Sequence, residues 1–368
     1  MHTHSGPQFR FHLALTLTLT LSICASQAIA DLPIGLSTDL TLTHDLELRS
    51  YDVLRPASAT TNALARPLVV DLHGFTSNGD GQRGISGWST LAEANDFYVA
   101  WPDGLFNSWN GITCCGDAVT NNVDDVGFIL AMVAAIEAEV NINPQRIYVT
   151  GLSNGGAMTQ RLACEAPNLF AAAAPMAYPV PHLDFAADCN ASESIPVLSF
   201  MGLTDILVDY ATAAPSLALW RDENGCDSAG DPTEIAETYG TSDCVIDTTC
   251  GDPGIKVGLC SIAGSNFLPP NDIFNGHILY FNNDAFNVSQ RAWDFMSAYG
   301  TAAAAVPAIG VPLLLVGALA GAGGVILKRR RASDLANRQE RCALRTAGKS
   351  VAKVRADTSL ETHAEHQT

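Results

Sequence analysis

The residues best placed to do chemistry begin with Gly151-Leu152-Ser153-Asn154-Gly155. "RIYVT" before this pentapeptide reads as a buried strand, and "GAMTQRLAC" after it as a helix. A serine between glycines at a strand-to-helix corner is a nucleophile elbow. The turn strains the serine backbone, and only glycine-sized neighbours let strand and helix approach so closely. A serine hydroxyl is a weak nucleophile at neutral pH and needs a base, itself oriented by an acid. With an elbow the chain order is serine, then Asp or Glu, then His. Downstream of Ser153, and before the basic tail, only His182 and His277 occur. His182 precedes any plausible acid-bearing strand, whereas His277 in Asn275-Gly276-His277 follows the last one and is the expected base. The acid should cap the strand "PVLSFMG". Asp205 does so, with Asp209 as its rival. An oxyanion needs backbone N–H donors rather than particular side chains. One is expected from Asn154, after the serine. The other is expected from the loop His73-Gly74-Phe75, with Phe75 first choice and Thr76 second, which leaves His73 a structural role.

These residues need a scaffold to converge. Short apolar strands, "PLVVDL" (67–72), "FYVAW" (97–101), "RIYVT", "IPVLSFMG" (195–202) and "KVGLCSI" (256–262), alternate with helical patterns. Val126, Ile129, Leu130, Val133, Ile136 and Val140 recur at helical spacing, with Asp124 and Asp125 in the first turn, where the helix dipole favours them. Such alternation implies an α/β fold: a mostly parallel sheet with helices on both faces. Residues 31–66 read as an opening β-rich segment, and 288–299 as the last helix. Residues 206–255, rich in Asp, Gly, Thr and Cys, read as a disulfide-tied excursion over the sheet.

The ends of the chain have a different character. Arg10, the apolar run Leu13–Ile23 and Ala28-Ile29-Ala30 form an export signal over 1–30, with the mature chain starting near Asp31. Residues 31–300 form the main domain and 301–307 an Ala-rich linker. Residues 308–327 hold no charge and are long enough to span a bilayer at ~1.5 Å per residue. Lys328-Arg329-Arg330-Arg331 opens a basic tail, 328–368, expected to be cytoplasmic and disordered. The expected product is exported, extracellular or periplasmic, and anchored by a C-terminal transmembrane helix or sorting segment. Residues 31–327 carry 9 Lys/Arg against 33 Asp/Glu, a net of −24, which repels nucleic acid. Eight of the ten cysteines lie between Cys114 and Cys260, an even set in an exported domain, which favours disulfides. Cys164 with Cys189 is the expected pair; spacing leaves the other pairings open. No zinc-type spacing is present, and no metal site is expected.

Taken in order, the motifs "PLVVDLHGFTSNG", "SWNGITCCGDAVTNNVDDVGFI", "INPQRIYVTGLSNGGAMTQRLACEAP", "PVLSFMGLTD" and "NGHILYF" resemble the polyhydroxybutyrate depolymerase and feruloyl esterase family of secreted α/β-hydrolases, over roughly residues 48–300. The resemblance implies the α/β-hydrolase fold and a Ser-His-Asp esterase without metal or organic cofactor. It supports Ser153, Asp205 and His277 in those roles and Phe75 and Asn154 as donors. Two departures adjoin the expected acyl pocket: an insertion, "SNFLPPNDIFN", and Ile278-Leu279 where Trp-Pro is usual. Trp109 could line the cleft for an aromatic acid or polymer, with packing an equal alternative; for Trp88 and Trp101 packing is the preferred reading. The expected function is serine carboxylic-ester hydrolysis of feruloyl or acetyl esters of polysaccharide, or of polyhydroxyalkanoate-type polyesters. The expected partner is therefore an ester substrate derived from polymer, and the composition leaves the oligomeric state open. The alternatives are a non-catalytic membrane-tethered binding protein on a hydrolase scaffold and a peptidase of the same fold.

Overall fold

The computed structural model describes residues 31–180, 189, 194–226, 234–264, 274–282 and 284–300. The expected export signal, linker, apolar span and basic tail, and His182, lie outside these residues. Among the described residues no helix is long and apolar enough to cross a membrane.

Among the described residues ten strands form one sheet: β1 (Gly35–His44), β2 (Glu47–Arg55), β3 (Arg66–Leu72), β4 (Tyr98–Pro102), β5 (Ile142–Leu152), β6 (Ala172–Met176), β7 (Val197–Gly202), β8 (Glu234–Tyr239), β9 (Ser242–Asp247) and β10 (Val257–Ile262). Their spatial order is β1-β2-β4-β3-β5-β6-β7-β10-β9-β8. The six strands from β4 to β10 run parallel, and antiparallel pairs flank them at both edges. The reason is in the residues. Every position of β3, β4, β6 and β7 is buried, as strands covered on both faces require. β1 alternates between half-buried and exposed positions, as an edge strand with one covered face does.

The helices among the described residues are α1 (Gly79–Ser86), α2 (Trp88–Asn95), α3 (Gly116–Thr120), α4 (Asp125–Glu139), α5 (Asn154–Glu165), α6 (Ala213–Glu223) and α7 (Val288–Met296). One apolar core packs Phe128 and Met132 of α4, Leu162 of α5 and Trp220 of α6 against the sheet. The other packs Trp88 of α2 and Trp293 and Met296 of α7 against the opposite face. Helices on both faces of a mostly parallel sheet are what the alternation of patterns implies. Asp124 caps α4 by accepting from the Gly127 N–H at 3.0 Å. Asp125 turns inward to the Arg49 guanidinium at 2.7 Å.

Two features depart from expectation. β6 is absent from the sequence reading because its residues, Ala-Ala-Ala-Pro-Met, lack the β-branched and aromatic side chains that mark strands. Residues 206–255 lie over the sheet only in part: α6 packs on its face as expected, whereas the antiparallel pair β8 and β9 extends it. Disulfides tie that region as expected, through Cys226–Cys250 and Cys244–Cys260. Cys164 pairs with Cys189, and the adjacent Cys114 and Cys115 pair with each other. Trp88 and Trp101 are fully buried, which fits the packing role preferred for them.

Candidate active site

β5 ends at Leu152 and α5 begins at Asn154, so Ser153 alone makes the corner. Its φ of 58° and ψ of −118° are a conformation that costs a non-glycine residue on the order of 1–3 kcal/mol. The surroundings enforce it. The Ser153 N–H donates to Met176 O at 2.8 Å, and its carbonyl accepts from the Ala157 N–H at 2.9 Å. A Cβ on Gly151 would stand 2.6 Å from Gly155 O, and one on Gly155 would stand 2.6 Å from His73 O. Only hydrogen atoms fit where β3, β5 and α5 meet, which is why both glycines flank the serine.

Three other loops reach the same place. The strand β7 delivers Asp205, whose side chain is fully buried. Its Oδ1 accepts from the Leu207 and Val208 N–H groups at 2.8 and 2.9 Å. Its Oδ2 accepts from His277 Nδ1 at 2.7 Å, across 72 positions of sequence. The loop bearing His277 lies directly on the acid loop, since a Cβ on Gly276, at φ 73°, would meet the backbone of Thr204 and Asp205. His277 is 4% exposed, and with Nδ1 committed its Nε2 is the ring atom left for the cavity. Asp209, the rival acid, is spent elsewhere: it caps a short 3₁₀ turn by accepting from the Ala211 N–H at 2.9 Å.

The two donor positions fall beside the serine. Asn154 is the first residue of α5, so its N–H has no acceptor within the helix. In the opposing loop the Thr76 N–H already donates to Asn107 O at 2.9 Å, whereas among the described residues the Phe75 N–H has no acceptor. That difference favours Phe75 over Thr76. His73 holds this loop. Its Nε2 accepts from the Gly104 N–H at 2.9 Å, so Nδ1 carries the proton and donates to Gly74 O at 2.8 Å. Burial pushes its pKa down to about 4, which keeps the ring neutral and the tautomer fixed.

Ser153, His277, Phe75 and Leu152 share the wall of one cavity of about 530 Å³. Its lining is largely apolar, and Gln82 on α1 and the Cys114–Cys115 disulfide complete part of it. Of the two roles left equal for Trp109, the structure fits packing. The residue is fully buried, its indole N–H donates to His73 O at 3.0 Å, and its ring lies 4.8 Å from the His73 ring. An indole so enclosed offers no face to a ligand.

Sequence reasoning missed what fixes the loop from 108 to 116. The Asn154 side chain accepts from Trp109 N at 2.7 Å and donates to the carbonyls of Trp109 and Cys114, both at 2.9 Å. Asp125 holds Asn110 N at 2.8 Å while pairing with Arg49. Burial pushes the Asp125 carboxyl up, and the Arg49 charge opposes that shift. The adjacency of Cys114 and Cys115 was the one visible signal in this loop. The polar ties have none, because their partners are distant in sequence.

The architecture is the α/β-hydrolase fold. The acetyl xylan esterase from Aspergillus awamori shares the fold, with a TM-score of 0.51 at 16% identity over 72% of this chain and 99% of that one. The prolyl oligopeptidase family matches residues 107–213. Feruloyl esterase B from Piromyces equi is 28% identical over 232 residues, covering 58% of this chain and 41% of that protein. Poly(3-hydroxyalkanoate) depolymerase C from Paucimonas lemoignei is 39% identical over 128 residues, covering 33% of this chain and 29% of that protein. The chain thus spans less than half the length of these two relatives. These similarities to a feruloyl esterase and a polyhydroxyalkanoate depolymerase agree with the resemblance that its motifs carry.

Proposed function

We propose that the chain is a serine carboxylic-ester hydrolase working through an acyl-enzyme. The observation that carries the reading is the 2.7 Å bond between His277 Nδ1 and Asp205 Oδ2, with that histidine and the strained Ser153 on one cavity wall. Ser153 Oγ attacks the ester carbonyl carbon while His277 Nε2 takes its proton. The negative charge that develops on the carbonyl oxygen is met by the N–H groups of Phe75 and Asn154. Collapse expels the alcohol, which leaves with the proton from His277. Water, deprotonated by the same imidazole, then releases the acid and restores the serine. Asp205 holds the tautomer and stabilises the imidazolium without taking the proton.

The activities for which the relatives are named support acyl groups of the feruloyl, acetyl and hydroxyalkanoate classes, carried on polysaccharide or polyester. An exported protein anchored through residues 308–327 belongs to the same proposal, and four disulfides favour an oxidising compartment. Hydrolysis of p-nitrophenyl acetate that falls by ~10⁴-fold or more in Ser153→Ala is the expected result. Equal rates in the two proteins, or none in either, would leave the non-catalytic binding protein as the better reading. The prolyl oligopeptidase match favours a peptidase as second reading. A panel of proline-containing peptides, cleaved faster than any ester, would establish it.

A further inference from the structure

Gln82 is 1% exposed and lines the cavity beside Ile85, Leu152 and Ile278. A glutamine amide offers two N–H donors from one nitrogen and an acceptor at its oxygen. Here the nitrogen is spent: Nε2 lies 2.7 Å from Asp71 Oδ1 and 3.0 Å from the Tyr280 hydroxyl. The other Asp71 oxygen accepts from Trp101 Nε1 at 2.9 Å. An ionised carboxylate can only accept, so Asp71 decides which end of the amide faces it. What Gln82 has left to offer the cavity is its carbonyl oxygen.

An acceptor in a largely apolar cavity wall gives a ligand's hydroxyl one place to be recognised. The cavity has an inner and an outer end. Gln82 and Leu152 are buried, whereas Phe75 and Leu207 are 46% and 56% exposed. A departing alcohol needs the open end, so the acyl group takes the inner one. Resting on the ester-hydrolase reading, we propose that Gln82 is a specificity-determining residue. Its carbonyl oxygen accepts a hydrogen bond from a hydroxyl on the acyl group, and the cleft thereby selects hydroxylated acyl esters over their deoxy counterparts. Two acyl classes carry that hydroxyl. In hydroxycinnamoyl esters it is a phenol at the far end of a ring. In 3-hydroxyalkanoyl esters it is an aliphatic hydroxyl two carbons from the carbonyl. One fixed acceptor suits one of these reaches.

The test compares matched methyl esters on the full-length protein at pH 8.5, above the pH of about 7 near which Asp71 holds its proton. One pair is p-coumarate against cinnamate, the other 3-hydroxybutyrate against butyrate. The expected result is a kcat/KM ratio of roughly tenfold or more in favour of the hydroxylated member of one pair. That pair names the acyl class. Gln82→Leu should bring the ratio to within about twofold of one, and Gln82→Met, closer in shape, is the second variant. Ratios near one in both pairs of the unmodified protein overturn the proposal without any variant. A ratio that survives in either variant overturns the assignment to Gln82. If p-nitrophenyl acetate is hydrolysed while both ratios are flat, the proposal fails alone; if no ester is hydrolysed, the hydrolase reading fails with it.

Discussion

The serine side of the site and the acid–histidine side are held by different physics. Ser153 is placed by backbone: a forced φ, glycines whose missing side chains let β3, β5 and α5 meet, and a strand buried on both faces. Asp205 and His277 come from two loops and meet through one side-chain hydrogen bond. The difference teaches where a substitution should act. On the serine side, position and fold are one property. On the other side, the Asp205–His277 contact can be altered while the fold stands.

The sharpest division comes from Asp205→Asn. The Asn side-chain oxygen can still accept from Leu207 and Val208, so the loop keeps its anchor. The imidazole, however, loses the acceptor that fixes its tautomer. Turnover should fall by ~10⁴-fold while the melting temperature stays within about 3 °C. A parallel collapse of stability would erase the distinction. Gly155→Ala should do the reverse. Its Cβ meets backbone from the start, and backbone cannot step aside. A loss of about 4 kcal/mol of stability is expected in urea unfolding, with activity falling alongside. A stable, inactive Gly155→Ala would show that the corner is not what holds these elements together.

Much of this was legible in the sequence, and unevenly so. Ser153 was readable because a backbone rule, no Cβ on either side, leaves a mark in one pentapeptide. His277 came from elimination, and Asp205 from its place at the end of an apolar strand. The sequence order could not separate Phe75 from Thr76. That choice turns on Asn107, 31 positions beyond Thr76, taking up the Thr76 amide. Trp109 stayed undecided because an aromatic residue near a cleft looks the same whether it faces solvent or the underside of His73. Gln82 was invisible, since its meaning depends on Asp71, Tyr280 and Trp101 meeting around one amide.

Two neighbours on the serine side, Asp71 and His73, titrate in opposite senses, which sharpens the comparison further. Burial raises the Asp71 carboxyl to about 7 and lowers the His73 imidazole to about 4. Unfolded, His73 gains its proton near 6.5; folded, it stays neutral down to about 4. Its contribution is therefore present above pH 6.5 and lost as the pH falls toward 4. Unfolded, Asp71 loses its proton near 3.8; folded, it keeps it to about 7. That contribution is present below pH 3.8 and lost as the pH rises through 7. Each is on the order of 3 kcal/mol, and between pH 4 and 7 they oppose one another. Urea unfolding at a series of pH values should show a stability rising with pH in Asp71→Asn and falling with pH in His73→Gln, relative to a flatter parent. Parallel slopes in all three proteins would break the pairing.

The smallest effect on the site is expected where the sheet is extended, at β8, β9 and β10. Cys244 and Cys260 face one another in the β9–β10 register and are joined. The sequence closed by that bond is short, with a separation of 16 residues. Replacing both cysteines by serine should cost about 2–3 kcal/mol, mainly because the unfolded chain regains freedom. Yet β10 also pairs in parallel with β7, whose end carries Asp205, so the hairpin is not remote from the chemistry. The ladder from Val257↔Val197 to Ile262↔Gly202 lies on the opposite side of β10 from the lost bond. If that ladder alone positions the acid loop, ester turnover at 25 °C should stay within about twofold of the parent despite the lower melting point. A tenfold loss of turnover in the folded double variant would mean that the acid side draws its rigidity from the added strands, and that both sides of the site, not one, are governed by the sheet.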